Sequence, residues 1–219
     1  MSRVNKVIIV DDHSIFRDAL KFVLAQSEDI EIIAEASNGQ EFLDIIDNYT
    51  PDIVLMDIAM PVLDGVEATR EVLKRYPDMK IIALSMYGDE LYYFRMLDAG
   101  VQGFVLKESG SDELTKAIHT VMDGDNYFSN RILCNIIKEF AHEAKSQDQT
   151  GKVQVKLSKR ESEVLELICA GYSNNEIANK LGISKRTIEG HRSSLISKTG
   201  AKNSIHLVLF AMKNNIRVE

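Results

Sequence analysis

The sequence predicts an α/β protein, a doubly wound five-stranded parallel sheet, followed by a second, all-α domain. Three observations carry that prediction. Short, nearly continuous apolar runs alternate five times with amphipathic stretches in the first half of the 219 residues. From Leu157 onward the apolar spacing is helical throughout. Charge divides with the pattern: residues 1–126 carry a net −13 and residues 127–219 a net +6. An average single domain would not split this way. An acidic half suits a metal ion and a protein partner, and a basic half suits a polyanion.

Strands are predicted over 6–10, 30–35, 53–56, 80–84 and 103–106. Their near-continuous apolar character marks burial on both faces, as in a parallel sheet. Helices are predicted between and after them over 14–26, 40–48, 64–76, 90–99 and 111–123. Consecutive βα units specify the doubly wound arrangement, in which ligands bind outside the carboxyl ends of the strands. Ile132, Leu133, Ile136, Ile137 and Phe140 recur at helical spacing and predict a connecting helix over 126–145. The polar stretch 146–152 reads as a flexible linker. Ser158 with Glu161, and Ser173 with Glu176, fit capping boxes, while Gly171 and Gly182 stand where helices stop. Ser184 is placed to cap a third helix over 185–198, and Asn203 or Ser204 a fourth. The expected organisation is a first domain over 1–125, a linker with a helix over 126–152, and a basic helical domain over 153–219.

Composition narrows the function classes. An apolar fraction of 45% supports a packed core. Cys134 and Cys169 stand far apart, which argues against a disulfide framework or a zinc site. No apolar run is long enough for a bilayer and no signal peptide is apparent, so the expectation is a cytoplasmic protein without a membrane partner.

The chemistry lies at the predicted strand ends. Asp11 and Asp12 follow the first strand, Asp57 ends the third, Ser85 ends the fourth and Lys107 follows the fifth. Clustered carboxylates repel one another unless a cation joins them, and Mg²⁺ needs only one or two carboxylates beside its waters. A carboxylate can also attack phosphorus to form an aspartyl phosphate. Phosphoryl transfer depends mostly on positioning and charge, which Mg²⁺, Lys107 and a hydrogen bond from Ser85 would supply. Any one of these residues alone reads as a turn former or a surface charge; the set, on four strand ends in this order, does not.

On the motifs Val10-Asp11-Asp12, Met56-Asp57-Ile58-Ala59-Met60-Pro61, Asp64-Gly65, Leu84-Ser85 and Val105-Leu106-Lys107, residues 1–125 resemble the flavodoxin-like receiver domain of two-component systems. The resemblance implies that Asp57 accepts a phosphoryl group from the phosphohistidine of a sensor histidine kinase. It implies that Asp12, Asp57 and the backbone carbonyl of Ala59 bind Mg²⁺, with Asp11 acting mainly through water. Ser85 and Phe104 match the switch pair of that family. Glu108 stands after Lys107 where the family often has proline. Ala59 and Tyr87 occupy the positions that tune attack by water, and they imply slow self-dephosphorylation. His13 is read as a helix-start residue.

Leu157-Ser158-Lys159-Arg160-Glu161, Glu176-Ile177-Ala178 and Thr187-Ile188-Glu189-Gly190-His191-Arg192 resemble the LuxR-type helix-turn-helix of the NarL/FixJ response regulators. In the third helix Ile188, His191 and Leu195 share one face, predicted to pack inward. Lys185, Arg186, Glu189, Gly190, Arg192 and Ser193 then form the face for base edges in double-stranded DNA. Lys198 and Lys202 are expected phosphate contacts. In the last helix Leu207, Val208, Phe210 and Ala211 form an apolar face, expected mostly to pack on the small domain, and the resemblance implies that part of it is a dimer contact. A dimer formed on phosphorylation would bind half-sites roughly 10 bp apart.

The expectation is therefore a phosphorylation-activated transcription regulator whose only chemistry is self-catalysed. Phosphatases of the haloacid dehalogenase type also use aspartates on strand ends, but place them as Asp-x-Asp after the first strand, where this chain has adjacent acids. A DNA binder with a static dimerisation module would need none of Asp12, Asp57, Ser85 and Lys107.

Overall fold

In a computed structural model the described residues are 4–86, 90–128, 155, 157–170 and 172–213. Contacts divide the chain into two compact units, Met1–Leu133 and Cys134–Glu219.

The first unit runs β1 (Asn5–Val10), α1 (Ser14–Leu24), β2 (Ile30–Ala36), α2 (Gly39–Ile45) and a 3₁₀ turn (Ile46–Asn48). It continues through β3 (Ile53–Asp57), α3 (Gly65–Arg75), β4 (Lys80–Ser85), α4 (Glu90–Ala99), β5 (Gly103–Leu106), α5 (Ser111–Met122) and β6 (Tyr127–Phe128). All strand pairs are parallel, in the order β2-β1-β3-β4-β5-β6. Burial follows the expected pattern. Val7 to Val10 and Ile53 to Met56 are fully buried in the inner strands, whereas the outer β2 is buried only at its ends and exposes Glu31 and Glu35. Val7, Ile9, Leu55, Leu84 and Val105 pack on Leu20, Leu24, Leu114 and Ile118 of α1 and α5.

The sheet has six strands rather than the expected five. Tyr127 and Phe128 pair with Gly103 and Phe104, so this stretch is a strand and not the start of a helix. A strand this short has little pattern of its own and exists because β5 offers an open edge. Tyr127 N donates to Gln102 O at 3.0 Å, and Asn126 Nδ2 donates to the same carbonyl at 3.1 Å. The rest of the expected connecting helix, and the linker over 146–152, lie outside the described residues.

The second unit contains α6 (Lys159–Cys169), α7 (Asn174–Leu181), α8 (Lys185–Thr199) and α9 (Ser204–Lys213). Both expected capping boxes form: Ser158 and Ser173 accept from the backbone of Glu161 and Glu176, whose carboxylates reach back. Gly182 turns α7 into α8 with φ of 64°, a left-handed conformation that glycine adopts without steric cost. Gly171 lies outside the described residues. Asn203, not Ser204, caps α9, its Oδ1 accepting from His206 N at 2.9 Å. Val164, Leu165, Ile177, Ile188, Leu195, Leu207 and Ala211 form the core. No helix among the described residues is long and apolar enough to cross a membrane.

Candidate functional site

Parallel strands bring their carboxyl ends to one edge of the sheet, and the acidic site assembles there. Asp57 ends β3 and is 3% exposed; Asp11, just past β1, is fully buried. Lys107, just past β5, places Nζ 2.7 Å from Asp11 Oδ2 and 2.9 Å from Asp57 Oδ2. Its backbone is tied to the neighbouring strand, since Lys107 N donates to Ser85 O at 2.8 Å. Ile58 N donates to Asp57 Oδ1 at 2.8 Å, which orients the carboxylate. Burial pushes the Asp57 carboxyl up to about 6, with the Asp11 charge adding to the shift and Lys107 opposing it.

The loop after Asp57 packs back beside the strand end, with Ile58 and Met60 buried. Gly65 N donates to Ile58 O at 2.9 Å, drawing the start of α3 across β3. A Cβ on Gly65 would stand 1.9 Å from the Asp57 carbonyl oxygen, so only glycine permits this approach. Asp64 caps α3 by accepting from Glu67 N at 2.8 Å. Leu63 N donates to Pro61 O at 2.8 Å around Val62, whose φ is 70°; this is a γ-turn of the strained, positive-φ kind. Ala59 lies exposed in this loop, and Tyr87 lies outside the described residues.

Ser85 and Phe104 share one face of the sheet, because Phe104 pairs beside Ala83 and side chains alternate along β4. The Ser85 hydroxyl donates to Met86 O at 3.0 Å. Phe104 is fully buried, with the Tyr93 ring of α4 edge-on at 5.5 Å and the Phe128 ring of β6 tilted at 5.9 Å. Phe104 thus touches both α4 and the strand that leads out of the first unit.

Three participants were not anticipated. Arg17 of α1 donates to the Asp11 carbonyl at 2.6 Å and pairs with Glu35 at 3.0 Å, bracing the β1 end. The Phe16 ring lies 5.0 Å from Lys107 Nζ, a cation–π approach that helps seat the ammonium. His13 starts α1 as expected, standing at its N-cap, but its side chain makes no cap hydrogen bond and its ring lies against the acids. Each depends on how α1 folds over the strand ends, for which local sequence carries no signal. One coordinating atom from each of Asp11, Asp12, His13 and Asp57 falls within 4.8 Å of the others. Asp12 Oδ1 is buried without a hydrogen bond, an orphaned acceptor that suits a cation. The residues present therefore fit a divalent ion.

In the second unit Ile188 and Leu195 are fully buried on the inner face of α8, and His191 beside them is half-buried. Arg186, Glu189, Gly190 and Ser193 are exposed, and Lys185 is partly so. Arg192 differs from the displayed cation that was expected. Its guanidinium donates to Asn174 Oδ1 at 2.5 Å and to the Ser204 hydroxyl, joining the first turns of α7 and α9 to α8. Lys198 pairs with Glu161 at 2.7 Å, and Ser194 donates to the same carboxylate at 2.6 Å. Those two contacts, with the Ser158 backbone, hold the Glu161 carboxyl well below the usual carboxylate range. Lys202 is exposed. On α9, Leu207 and Ala211 are buried in the core, while Val208 and Phe210 are partly exposed.

Comparison with known proteins matches residues 7–119 to the response regulator receiver domain and residues 155–211 to the bacterial regulatory proteins of the luxR family. The transcriptional regulatory protein DegU of Brevibacillus brevis is 35% identical over 220 residues, covering 95% of this chain and 93% of that protein. The oxygen regulatory protein NreC of Staphylococcus epidermidis is 35% identical, covering 96% of this chain and 98% of that protein. Among solved structures, RcsB of Salmonella enterica serovar Typhimurium, bound to promoter rprA in the presence of the phosphomimetic BeF₃⁻, is similar with a TM-score of 0.56 and 26% identity, covering 94% and 97% of the two chains.

Proposed function

The chain belongs to the NarL/FixJ response regulators, transcription regulators that join a receiver to a LuxR-type DNA-binding domain, and from that premise we propose that phosphorylation of Asp57 controls its binding to DNA. The observation that carries the proposal is the buried Asp57 carboxylate, ion-paired through Lys107 to Asp11 at the open edge of the sheet. A sensor histidine kinase supplies the phosphoryl group: the N–P bond of its phosphohistidine breaks as an Asp57 oxygen bonds to phosphorus. With its carboxyl near 6, Asp57 is largely ionised at neutral pH and able to attack. Lys107 and the Ser85 hydroxyl then hold phosphoryl oxygens, the serine leaving the Met86 carbonyl to do so.

Asp12 and Asp57, with the Ala59 carbonyl, would hold Mg²⁺, and Asp11 would act through water. Bound there, Mg²⁺ supplies positive charge against the developing charge of the transferred group. Self-dephosphorylation is slow, because the Ala59 side chain offers no hydrogen bond to an attacking water. Loss of the phosphoryl group within seconds would overturn that point.

Lys185, Arg186, Glu189, Gly190 and Ser193 form the face of α8 that enters the major groove. Lys198 and Lys202 meet phosphate, Lys198 while sharing its charge with Glu161. Arg192 holds α8 between its neighbours rather than reading bases. The phosphorylated protein acts as a homodimer in the cytoplasm, and Val208 and Phe210 of α9 belong to its contact.

The decisive test selects DNA from a random pool with the wild-type chain, with and without BeF₃⁻, and with Asp57→Asn. A shared motif with paired half-sites, enriched only for the activated wild type, is expected. Phosphorylation of Asp57→Asn at another residue of this site would contradict the assignment.

A further inference from the structure

We propose that His13 is a nitrogen ligand of the cation site and tilts its preference from Mg²⁺ toward first-row transition ions such as Mn²⁺. The inference rests on the reading of Asp11, Asp12 and Asp57 as that site, and adds a residue which that reading leaves at the start of a helix.

His13 occupies the N-cap position of α1, yet its side chain makes no cap hydrogen bond. Its backbone N–H donates instead to Asp11 Oδ1 at 2.9 Å, closing a tight turn that aims the ring at the acids. Nδ1 then stands 2.8 Å from Asp12 Oδ1 and 3.3 Å from Asp11 Oδ1. A six-coordinate ion with bonds of about 2.1 Å puts neighbouring ligand atoms roughly 3.0 Å apart and opposite ones roughly 4.2 Å apart. The His13–Asp12 spacing is that of neighbouring ligands, and Asp57 falls within the 4.8 Å spread of the group; Asp11, engaged by His13 and Lys107, is left to act through water.

A second observation points the same way. Asp12 Oδ1 is buried and accepts no hydrogen bond, although Nδ1 is so near. The two atoms can meet as an ion pair when the ring is protonated, and Nδ1 also stands within hydrogen-bond distance of Asp11 Oδ1. With the ring neutral, the lone pair of Nδ1 and that of Asp12 Oδ1 are placed for a shared cation.

The remaining geometry leaves room for that cation. The Lys107 ammonium covers Oδ2 of Asp11 and Oδ2 of Asp57, so the ion enters from the other side, over His13, whose side chain is 57% exposed. The open side keeps positions for water and for a phosphoryl oxygen. Mg²⁺ favours an all-oxygen shell, whereas later divalent ions gain from an imidazole nitrogen. His13 therefore acts on selectivity.

The test titrates the full chain and its His13→Gln variant with Mg²⁺ and with Mn²⁺ by calorimetry. Pulsed electron paramagnetic resonance then examines the Mn²⁺-loaded wild type with ¹⁵N-labelled histidine. The expected results are a loss of about tenfold in Mn²⁺ affinity with Mg²⁺ affinity changed less than about twofold, and a histidine nitrogen coupling in the wild type. Equal loss for both cations, or no histidine coupling in the wild type, would overturn the role of His13. No binding of either cation by the wild type would overturn the cation site itself, and this inference with it.

Discussion

Lys107 Nζ lies 2.9 Å from Asp57 Oδ2, and at 4% exposure this ammonium is almost as buried as the carboxylate it meets. The same nitrogen holds Asp11 at 2.7 Å. Two buried carboxylates thus share one cation, leaving excess negative charge that burial makes costly.

That excess predicts a pH dependence. The Asp57 carboxyl is raised from 3.8 to about 6, so between those values the folded protein keeps a proton that the unfolded chain releases. The associated stability is fully present below about 4 and is lost as pH rises through about 6. Asp57→Asn is therefore expected to stabilise the Mg²⁺-free protein by up to roughly 3 kcal/mol near neutral pH, and to leave it unchanged below about pH 4. Urea unfolding across this range measures the difference, and added Mg²⁺ should narrow it.

Gly65 and Val62 predict opposite effects in one loop. Gly65→Ala drives a methyl group into the Asp57 carbonyl, 1.9 Å from an ideal Cβ, and should destabilise the protein by about 3 kcal/mol or more. Val62→Gly releases a β-branched residue from φ of 70° and should stabilise it by about 1 kcal/mol after the entropic cost of glycine. Thermal and urea unfolding of both variants checks the pair of signs.

Two arginines of α8 should separate DNA affinity from stability. Arg186 is exposed, so Arg186→Ala should weaken DNA binding and lower the salt slope by about 1, with no change in melting. Arg192 joins Asn174 and Ser204, so Arg192→Ala should destabilise the unit by roughly 1–3 kcal/mol. Melting curves read beside binding isotherms at two salt concentrations distinguish them.

The tilted contact between the rings of Phe104 and Phe128 predicts a local effect. Phe128→Ala should loosen β6, so that the Tyr127 amide, now bonded to Gln102 O, exchanges faster while β1 and β3 stay protected. Hydrogen exchange followed residue by residue reports it.

What could be read in advance had local causes. The inner strands are apolar almost throughout, and the capping Ser158 and Ser173 announce α6 and α7 three residues ahead of their glutamates. β6 was hidden because two residues have no period; only the open edge of β5 makes them a strand. The contacts of Arg192 within its own unit were hidden for a similar reason. On a helix surface it looks like any solvated cation, until Asn174 and Ser204 arrive from other helices.

By itself, then, the sequence determined the order of the five βα units, the two-part organisation by charge, and the set Asp11, Asp12, Asp57, Ser85 and Lys107 at one edge. Side-chain periodicity and parallel strand direction suffice for that. Only the tertiary structure decided what each group meets. It put Lys107 between Asp11 and Asp57, turned His13 from its helix toward the acids, and linked Phe104 to both Tyr93 and Phe128. The reason is physical: a charge or ring acts according to its neighbours within a few ångströms and to its exposure to water. Apart from His13, those neighbours come from separate segments of the chain, joined only when the sheet assembles.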